Sequence, residues 1–99
     1  MTVIPGVVPS APTSVGVSAQ TRSATVSWHA PVNVGDPRVI RYEAIATHGT
    51  HTYTCGVAAT SLSCAIYGLT KAVVYTVTVI AINVVGNSPP SAVVRVTPK

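Results

Sequence analysis

The sequence predicts an all-β fold, a seven-stranded antiparallel β-sandwich, and three observations lead to it. Short stretches in which apolar and polar residues alternate recur along the chain, and turn-forming residues separate them about every 8 to 12 residues, a rhythm typical of sandwiches and barrels. Val, Ala, Ile, Thr and Ser dominate the composition while Phe is absent, which is the composition of strands. No segment carries the periodicity of an amphipathic helix.

Length and composition allow one folded core. The chain has 99 residues, of which 47% are hydrophobic and only 8% charged, so intrinsic disorder is excluded. Its longest nearly apolar stretch, Ala72 to Ile82, is too short for a membrane-spanning helix. The net charge of +4 comes from basic residues that are never adjacent and lack the interleaved aromatic residues of a nucleic-acid groove. We therefore expect no membrane insertion and no nucleic-acid partner.

The chain begins with a proline-rich stretch. Pro5, Pro9 and Pro12 lie among Gly, Val and Ser residues, a composition that favours an extended, semi-rigid linker over residues 1–12. No basic segment precedes an apolar run there, so we do not interpret this stretch as a secretory signal. The folded domain is predicted to span residues 13–99.

The first three strands follow in order. Val15 and Val17 alternate with small polar residues, and the run Ala24 to Trp28 places Ala, Val and Trp on one face, with Thr and Ser on the other. Turn-forming residues fill positions 31–37. A third strand over Val39 to Thr47 puts one tyrosine and two alanines on its inner face and both of its charged residues on its outer face.

Four further strands complete the pattern. Two of them, near His51 to Val57 and Thr60 to Ile66, each contain one cysteine. The longest runs from Val73 to Asn83, with Tyr, Val and Ala on one face and Thr and Ile on the other. A loop over Gly86 to Pro90 leads to the last strand, around residues 94–96.

Several landmark residues occur in a fixed order and spacing. Trp28 ends an Ala-Thr-Val-Ser-Trp strand, and Tyr42 follows it after fourteen residues. Leu69 precedes Tyr75 by six residues. The other landmarks are Pro31, Gly35, Gly86 and Ser88. In this order and spacing the chain resembles a fibronectin type III domain over residues 11–98.

The resemblance implies an immunoglobulin-like topology and a tyrosine corner, in which the Tyr75 hydroxyl bonds back to an upstream backbone group. The sequence is most similar to fibronectin type III domains of secreted bacterial proteins, especially multidomain enzymes and surface proteins of actinobacteria. Those domains share its small residues and its central cysteine pair. The Arg-Gly-Asp sequence of cell-adhesive animal members is absent, and the corresponding loop, Val84 to Ser88, reads Val-Val-Gly-Asn-Ser. Integrin binding is therefore not implied.

Four large side chains are candidates for the core: Trp28, Tyr42, Leu69 and Tyr75. Because exposed aromatic faces stack on sugar rings, a sugar-binding platform is the competing hypothesis for the three aromatic residues. Alternation places all three on inward strand faces, where large aromatic side chains pack in the core. We interpret them as core residues.

The two cysteines are predicted to pair. Cys55 and Cys64 each fall on a short strand beside the turn-like stretch 56–60. Facing strands would bring their Cα atoms within the disulfide range of about 4.4 to 6.8 Å. An intramolecular disulfide persists outside the reducing cytosol, so it indicates a secreted, extracellular or cell-wall-associated protein. Two buried free thiols are the alternative.

A zinc site is a second alternative for the cysteines. His48, His51, Cys55 and Cys64 together supply the ligand types of a structural zinc site. Their spacing matches no closed Cys and His pattern, and two histidines three residues apart at a turn point to different sides. We expect no metal and no cofactor.

No catalytic constellation is evident. The single Asp and the single Glu, Asp36 and Glu43, are predicted on a turn and on an outward strand face, and His29 has no evident acidic partner. The chain is therefore predicted to be a non-catalytic connector, a monomer whose partners are the neighbouring domains of the same chain. The alternative is an adhesion module that binds a protein or a cell-wall polysaccharide through the outer sheet face or the loops 31–39 and 84–90.

One outer sheet face offers a candidate interface. By alternation, four apolar side chains point away from the core there, and neighbouring strands would bring them together: Ile45, Ile80, Ile82 and Val93. Apolar patches of a few hundred Å² are common on monomers, so ordinary surface is the competing interpretation.

Overall fold

The computed structural model describes residues 6–35 and 37–99, so the turn predicted at Asp36 lies outside the described residues. Seven strands occur: β1 Thr13–Gln20, β2 Ser23–His29, β3 Arg41–His48, β4 His51–Ala58, β5 Ser63–Tyr67, β6 Tyr75–Ile82 and β7 Val94–Val96. The described part of the chain contains no helix that could cross a membrane. The predicted seven-stranded, all-β fold is confirmed.

The strands form two sheets in which every pairing is antiparallel. The three-stranded sheet has the order β1-β2-β5, and the four-stranded sheet has the order β4-β3-β6-β7. Because the sheets pack face to face, β4 and β5 lie on one side of the sandwich and β1 and β7 on the other.

The core lies between the two sheets and is built by alternation along the strands. On β6 every second residue is buried: Tyr75, Val77, Val79 and Ala81. Trp28 of β2 and Tyr42 of β3 are each 2% exposed, and their ring centroids are 5.5 Å apart. Leu69, in the loop before β6, is also buried, and burying a side chain of this size stabilises the fold by about 1.5 to 3 kcal/mol.

Two strands, β3 and β6, start later than the sequence predicts, because the residues before them form hydrogen bonds within loops. β3 starts after Val39, because the Val39 N–H donates to the Val34 carbonyl within the preceding loop. β6 starts after Val73, whose N–H donates to the Thr70 carbonyl in a turn. In both places the sequence is apolar enough for a strand, but one backbone N–H is already bonded within the preceding loop or turn.

The second half of the predicted linker is docked on the sandwich. Pro9 and Pro12 are buried. The Ser10 N–H donates to the Asn33 carbonyl at 2.9 Å, and the Asn33 N–H donates to Ser10 Oγ at 3.0 Å. The first part of that linker, residues 1–5, lies outside the described residues. Packing of the folded unit therefore extends upstream of Thr13, the start of β1.

Candidate functional site

The disulfide joins the two sheets along one side of the sandwich. Cys55 lies on β4 and Cys64 on β5, and their Cα atoms are 6.3 Å apart. Both strands are sheet edges, and alternation turns both cysteine side chains inward. The predicted disulfide is present, and it connects strands of facing sheets rather than neighbours within one sheet.

Three of the four residues of the zinc alternative are engaged in other contacts. Each cysteine sulfur is bonded to the other, so neither is a thiolate ligand. His48 Nδ1 lies 3.1 Å from the Val74 carbonyl oxygen, and His51 is exposed. Among residues 6–35 and 37–99, no group of three or more His, Cys, Asp or Glu is placed to hold a metal.

Tyr75 forms a tyrosine corner with the loop before β6. The Thr70 N–H donates to the Tyr75 hydroxyl oxygen at 2.9 Å. Leu69 is 2% exposed, and the Tyr53 ring meets the Tyr75 ring edge-on at a centroid distance of 5.9 Å. A hydrogen bond and apolar packing thus hold the loop between β5 and β6 against the core.

Asn83 is a buried polar residue that ties three segments together. It directly follows β6 and is 3% exposed. Its Nδ2 donates to the carbonyls of Val7 and Pro37, at 2.8 and 2.7 Å. Its Oδ1 accepts from the N–H groups of Val85 and Gly86, at 3.0 and 3.1 Å. These four bonds use the full capacity of the amide.

Gly35 lies where these segments meet, and a side chain does not fit there. Its φ is 81°, a left-handed conformation that glycine adopts without strain. A Cβ at this position would lie 2.8 Å from the Val7 carbonyl oxygen and 2.9 Å from Asn83 Nδ2. The Gly35 N–H also donates to Asn33 Oδ1 at 2.9 Å. The close approach of the N-terminal segment therefore depends on glycine at this position.

Two buried serines take the place of a paired strand beside β6. The chain between β6 and β7 contains two adjacent prolines, which lack the N–H groups of a paired strand. The Ser88 N–H donates to the Ala81 carbonyl at 2.7 Å, and Ser88 Oγ accepts from the Ala81 N–H at 2.8 Å. Ser91 makes the same two contacts with Val79, at 2.9 and 2.8 Å. The sequence analysis named Ser88 only as a landmark and missed this role of the two serines, for which the Ser-Pro-Pro-Ser spacing was the available signal.

An apolar surface covers the pole of the sandwich that these loops form. Five exposed valines lie on the segments that meet at Asn83, and we call them the valine pole: Val7, Val8, Val32, Val84 and Val85. Val32 is 92% exposed and Val84 is 71% exposed. The predicted loop sites 31–39 and 84–90 thus converge with the N-terminal segment on one end of the domain.

The candidate patch on the outer face of the four-stranded sheet is smaller than predicted. Ile45 and Ile80 are half-buried, and Val93 is 54% exposed. Ile82 is only 8% exposed, so it is not available to a partner. Ile82 ends β6, where its backbone forms a bridge with Asn87 and its carbonyl accepts from the Ile40 N–H, so chain segments flank it on both sides.

Two shallow depressions open on the described surface. One, of about 350 Å³, is lined by Arg22, Lys71 and residues 68–70. The other, of about 200 Å³, is lined by Tyr42, Arg38 and small or apolar side chains. Burial raises the pKa of Tyr42, so its hydroxyl stays protonated at neutral pH. Neither lining contains a carboxylate or a histidine to pair with a nucleophile.

The strand order, with three strands facing four, and the tyrosine corner define an immunoglobulin-like β-sandwich module. Sequence comparison narrows the class, since the fibronectin type III domain profile matches residues 10–97. The chain belongs to the fibronectin type III family.

Solved structures share this fold along most of the chain. A myokine structure is 31% identical with a TM-score of 0.76, and the match covers 92% of this chain and 99% of that one. A structure of several titin domains is 26% identical with a TM-score of 0.83, covering 95% of this chain and 33% of that one. The FN5 domain of Drosophila Lar, at 24% identity and a TM-score of 0.77, shows the same fold over 93% of this chain and 99% of that one.

No curated protein sequence matches the chain significantly. Fibronectin type III domains occur as modules of multidomain chains such as titin, and they are generally non-catalytic. The disulfide and the family are both compatible with an extracellular location. The bacterial origin that the sequence resemblance implied stays a prediction.

Proposed function

We propose that this domain is a non-catalytic connector that spaces and orients neighbouring domains of a secreted or cell-surface protein. One observation carries the proposal: the described segment that precedes β1 and the segment that follows β7 are both hydrogen-bonded to the fold, at opposite poles. A domain fixed in this way transmits orientation from one neighbour to the next. The domain itself is elongated, measuring 57 × 25 × 18 Å.

At the first pole, the incoming segment is held by side-chain and backbone hydrogen bonds. The Val7 carbonyl accepts from Asn83, and Ser10 exchanges hydrogen bonds with Asn33. Downstream of these contacts β1 runs the length of the sandwich from Thr13 to Gln20.

At the second pole, the outgoing segment is held by the turn that follows β1. The Lys99 N–H donates to the Gln20 carbonyl at 2.9 Å, and the Arg22 N–H donates to the Lys99 carbonyl at 2.8 Å. The Ala72 N–H donates to the Pro98 carbonyl at 3.0 Å, which adds the loop before β6 to the anchor. Both ends are therefore fixed by backbone bonds to different elements.

The valine pole supports contact with a preceding domain. Its exposed apolar side chains surround the point where the chain enters the sandwich. Exposed apolar surfaces mark sites of contact with other domains or proteins. A connector whose incoming segment is docked places this surface directly against its neighbour.

The disulfide supports an extracellular or cell-wall location, because such bonds persist in oxidising compartments. The test is mass spectrometry of the protein isolated without reductant. We expect Cys55 and Cys64 to resist alkylation after denaturation and to be modified only after reduction. Two cysteines that alkylate without reductant would remove the support for this location.

The connector role is tested with a tandem of two copies, in which Lys99 of the first is joined to Met1 of the second. By small-angle X-ray scattering we expect an extended particle whose maximum dimension approaches the sum of two single copies. Asn83→Ala, which frees the incoming segment, should broaden the distance distribution, and Asn87→Ala in the next loop is the matched control. Equal, broad distributions for all three proteins would contradict the connector role.

A binding module is the second candidate, and the exposure of the two loops at the valine pole favours it. Val32 and Val84 are exposed on these loops, while Ile80 and Val93 remain on the outer sheet face. The candidate ligands are a protein or a cell-wall polysaccharide. Two double variants assign any binding to one surface. The first, Val32→Ser with Val84→Ser, changes the loops of the valine pole, and the second, Ile80→Ser with Val93→Ser, changes the outer sheet face. If both double variants leave pull-down partners unchanged, neither surface is a binding site.

A further inference from the structure

The β4 edge of the four-stranded sheet offers a row of backbone groups that no neighbouring strand pairs. Among them, the Ala58 carbonyl already accepts from the Ser61 N–H at 2.9 Å in the turn after β4. β4 pairs only with β3, in an unbroken register from Arg41–Ala58 to His48–His51. The same register continues to Ala59, whose N–H donates to the Ile40 carbonyl at 3.1 Å. In an antiparallel pair the backbone bonds fall on every second residue. The alternate residues of β4 therefore direct their N–H and C=O groups away from β3.

The residues with outward backbone groups are small, uncharged and exposed: Thr52, Thr54, Gly56 and Ala58. Sheet edges in soluble proteins are normally protected by charged residues, proline or bulges. None of these protections is present on β4, and the sequence between Glu43 and Lys71 contains no charged residue and no proline.

The opposite side of the sandwich has the protections that β4 lacks. β1 carries a register shift between Thr13 and Gly16, and Ser14 within it has a φ of 51°. β7 is only three residues long and contains Arg95. This side is therefore closed to strand addition, whereas the β4 side is open.

Pairing of β4 with a second copy of itself is self-complementary. A two-fold antiparallel register that matches the outward backbone groups sets Thr54 opposite Gly56 of the second copy and Thr52 opposite Ala58 of the second copy. Each Thr54–Gly56 pair exchanges two N–H···O bonds, and each Thr52–Ala58 pair adds one, from the Ala58 N–H to the Thr52 carbonyl. On the inner face the same register sets Tyr53 opposite Val57 of the second copy, and both side chains are only half-buried in the single domain.

The charge distribution also permits this pairing. A protein of net charge +4 resists self-association wherever its cations meet. In this register the β3 residue beside Gly56 is Glu43, and the one beside Ala58 is Arg41. Gly56 and Ala58 lie opposite Thr54 and Thr52 of the second copy. Glu43 and Arg41 therefore face threonines across the junction, and no two cations are placed opposite each other.

We propose that the β4 edge is a homotypic interaction surface, through which two copies of this chain form one continuous sheet. This proposal replaces the monomer that the sequence analysis expected, and it does not depend on the connector role. Because interfaces smaller than about 1,200 Å² bind weakly, we expect a dissociation constant of about 10 µM to 1 mM. Analytical ultracentrifugation of the whole chain should show the mass rising from 10.1 kDa toward twice that value with concentration.

Hydrogen exchange of the unmodified protein locates the contact. At high concentration the N–H groups of Thr54, Gly56 and Ala58 should gain protection relative to low concentration. Protection gained on β1 or on the valine pole instead would overturn the assignment. A chain that stays monomeric at about 1 mM, the weak limit expected for so small a contact, would overturn the proposal itself.

Thr54→Lys tests the edge by substitution, since it brings two lysines into diagonal proximity across the junction. We expect it to raise the dissociation constant at least about tenfold, because like charges on neighbouring strands repel. Ser18→Lys on β1 is the matched control, with the same added charge at an exposed position on the opposite edge. Equal effects of the two variants would show a net-charge effect and would overturn the edge assignment.

Discussion

Substituting Asn83 by alanine should destabilise the domain more than any other single polar truncation in its loops. The variant removes the Nδ2 group, which donates to the Val7 and Pro37 carbonyls. It also removes the Oδ1 atom, which accepts from the N–H groups of Val85 and Gly86. A typical hydrogen bond contributes about 0.5 to 1.5 kcal/mol net, and a buried group left without a partner costs about 1 to 3 kcal/mol. Water can reach the loop carbonyls once the amide is gone, so we expect a total loss of about 2 to 4 kcal/mol.

This loss is large against the stability of a domain of this size, which is about 5 to 10 kcal/mol. Urea denaturation followed by tryptophan fluorescence measures it, since Trp28 is the single tryptophan and is 2% exposed. A loss of 2 to 4 kcal/mol corresponds to a fall in Tm of about 10 to 25 °C for about 100 residues.

Asn83→Asp distinguishes the donor role of the amide from its acceptor role. The carboxylate keeps the acceptor role toward Val85 and Gly86 but faces the Val7 and Pro37 carbonyls without a donor, so it should destabilise as well. Asn87→Ala is the control, because this exposed side chain makes no hydrogen bond among the described residues. If Asn83→Ala changes the free energy of unfolding by no more than Asn87→Ala does, the buried amide does not hold the loops together.

Three further predictions follow from single contacts. Reducing the Cys55–Cys64 disulfide opens a loop of about ten residues and should lower the free energy of unfolding by about 2.7 kcal/mol in the chain-entropy model. Calorimetry with and without reductant measures this loss, and an unchanged Tm would show that the bond between the sheets does not stabilise the domain. Burial raises the pKa of Tyr42. The contribution of its protonated hydroxyl to the free energy of unfolding is therefore complete below the ordinary tyrosine pKa of about 10, and it is lost as pH rises through the higher folded-state value. Tyr42→Phe should therefore flatten the fall in urea midpoint at alkaline pH, and identical profiles would refute this. Gly35→Ala should destabilise by more than Gly49→Ala, because both have positive φ but only the Cβ at position 35 meets other atoms; equal losses would show that backbone strain alone matters.

Much of the sandwich was predictable from sequence because a strand's alternation is a local property. The inward faces of β3 and β6 follow from the two-residue period alone, and so does the burial of Tyr42 and Tyr75. The resemblance to fibronectin type III domains also predicted the tyrosine corner, whose residues Leu69, Thr70 and Tyr75 lie within one loop and the strand that follows it. Such features need only the order of nearby residues.

The pairing of the cysteines shows the limit of this reasoning. Cys55 and Cys64 are nine residues apart, and the sequence indicated a bond between nearby strands. It did not indicate that the chain crosses from one sheet to the other between them. Crossing depends on which strands pair with β2 and β3, which is a property of the whole sandwich.

The sequence by itself determined the strand pattern and the core-facing residues, because these depend on residue types and local spacing. Tertiary structure alone decided the contacts between distant segments. Asn83 bonds to Val7 across 76 positions of the sequence, and the Ile82 carbonyl accepts from the N–H of Ile40, which precedes β3. Neither contact has a local signal, because each exists only after the two sheets have brought the loops of one pole together.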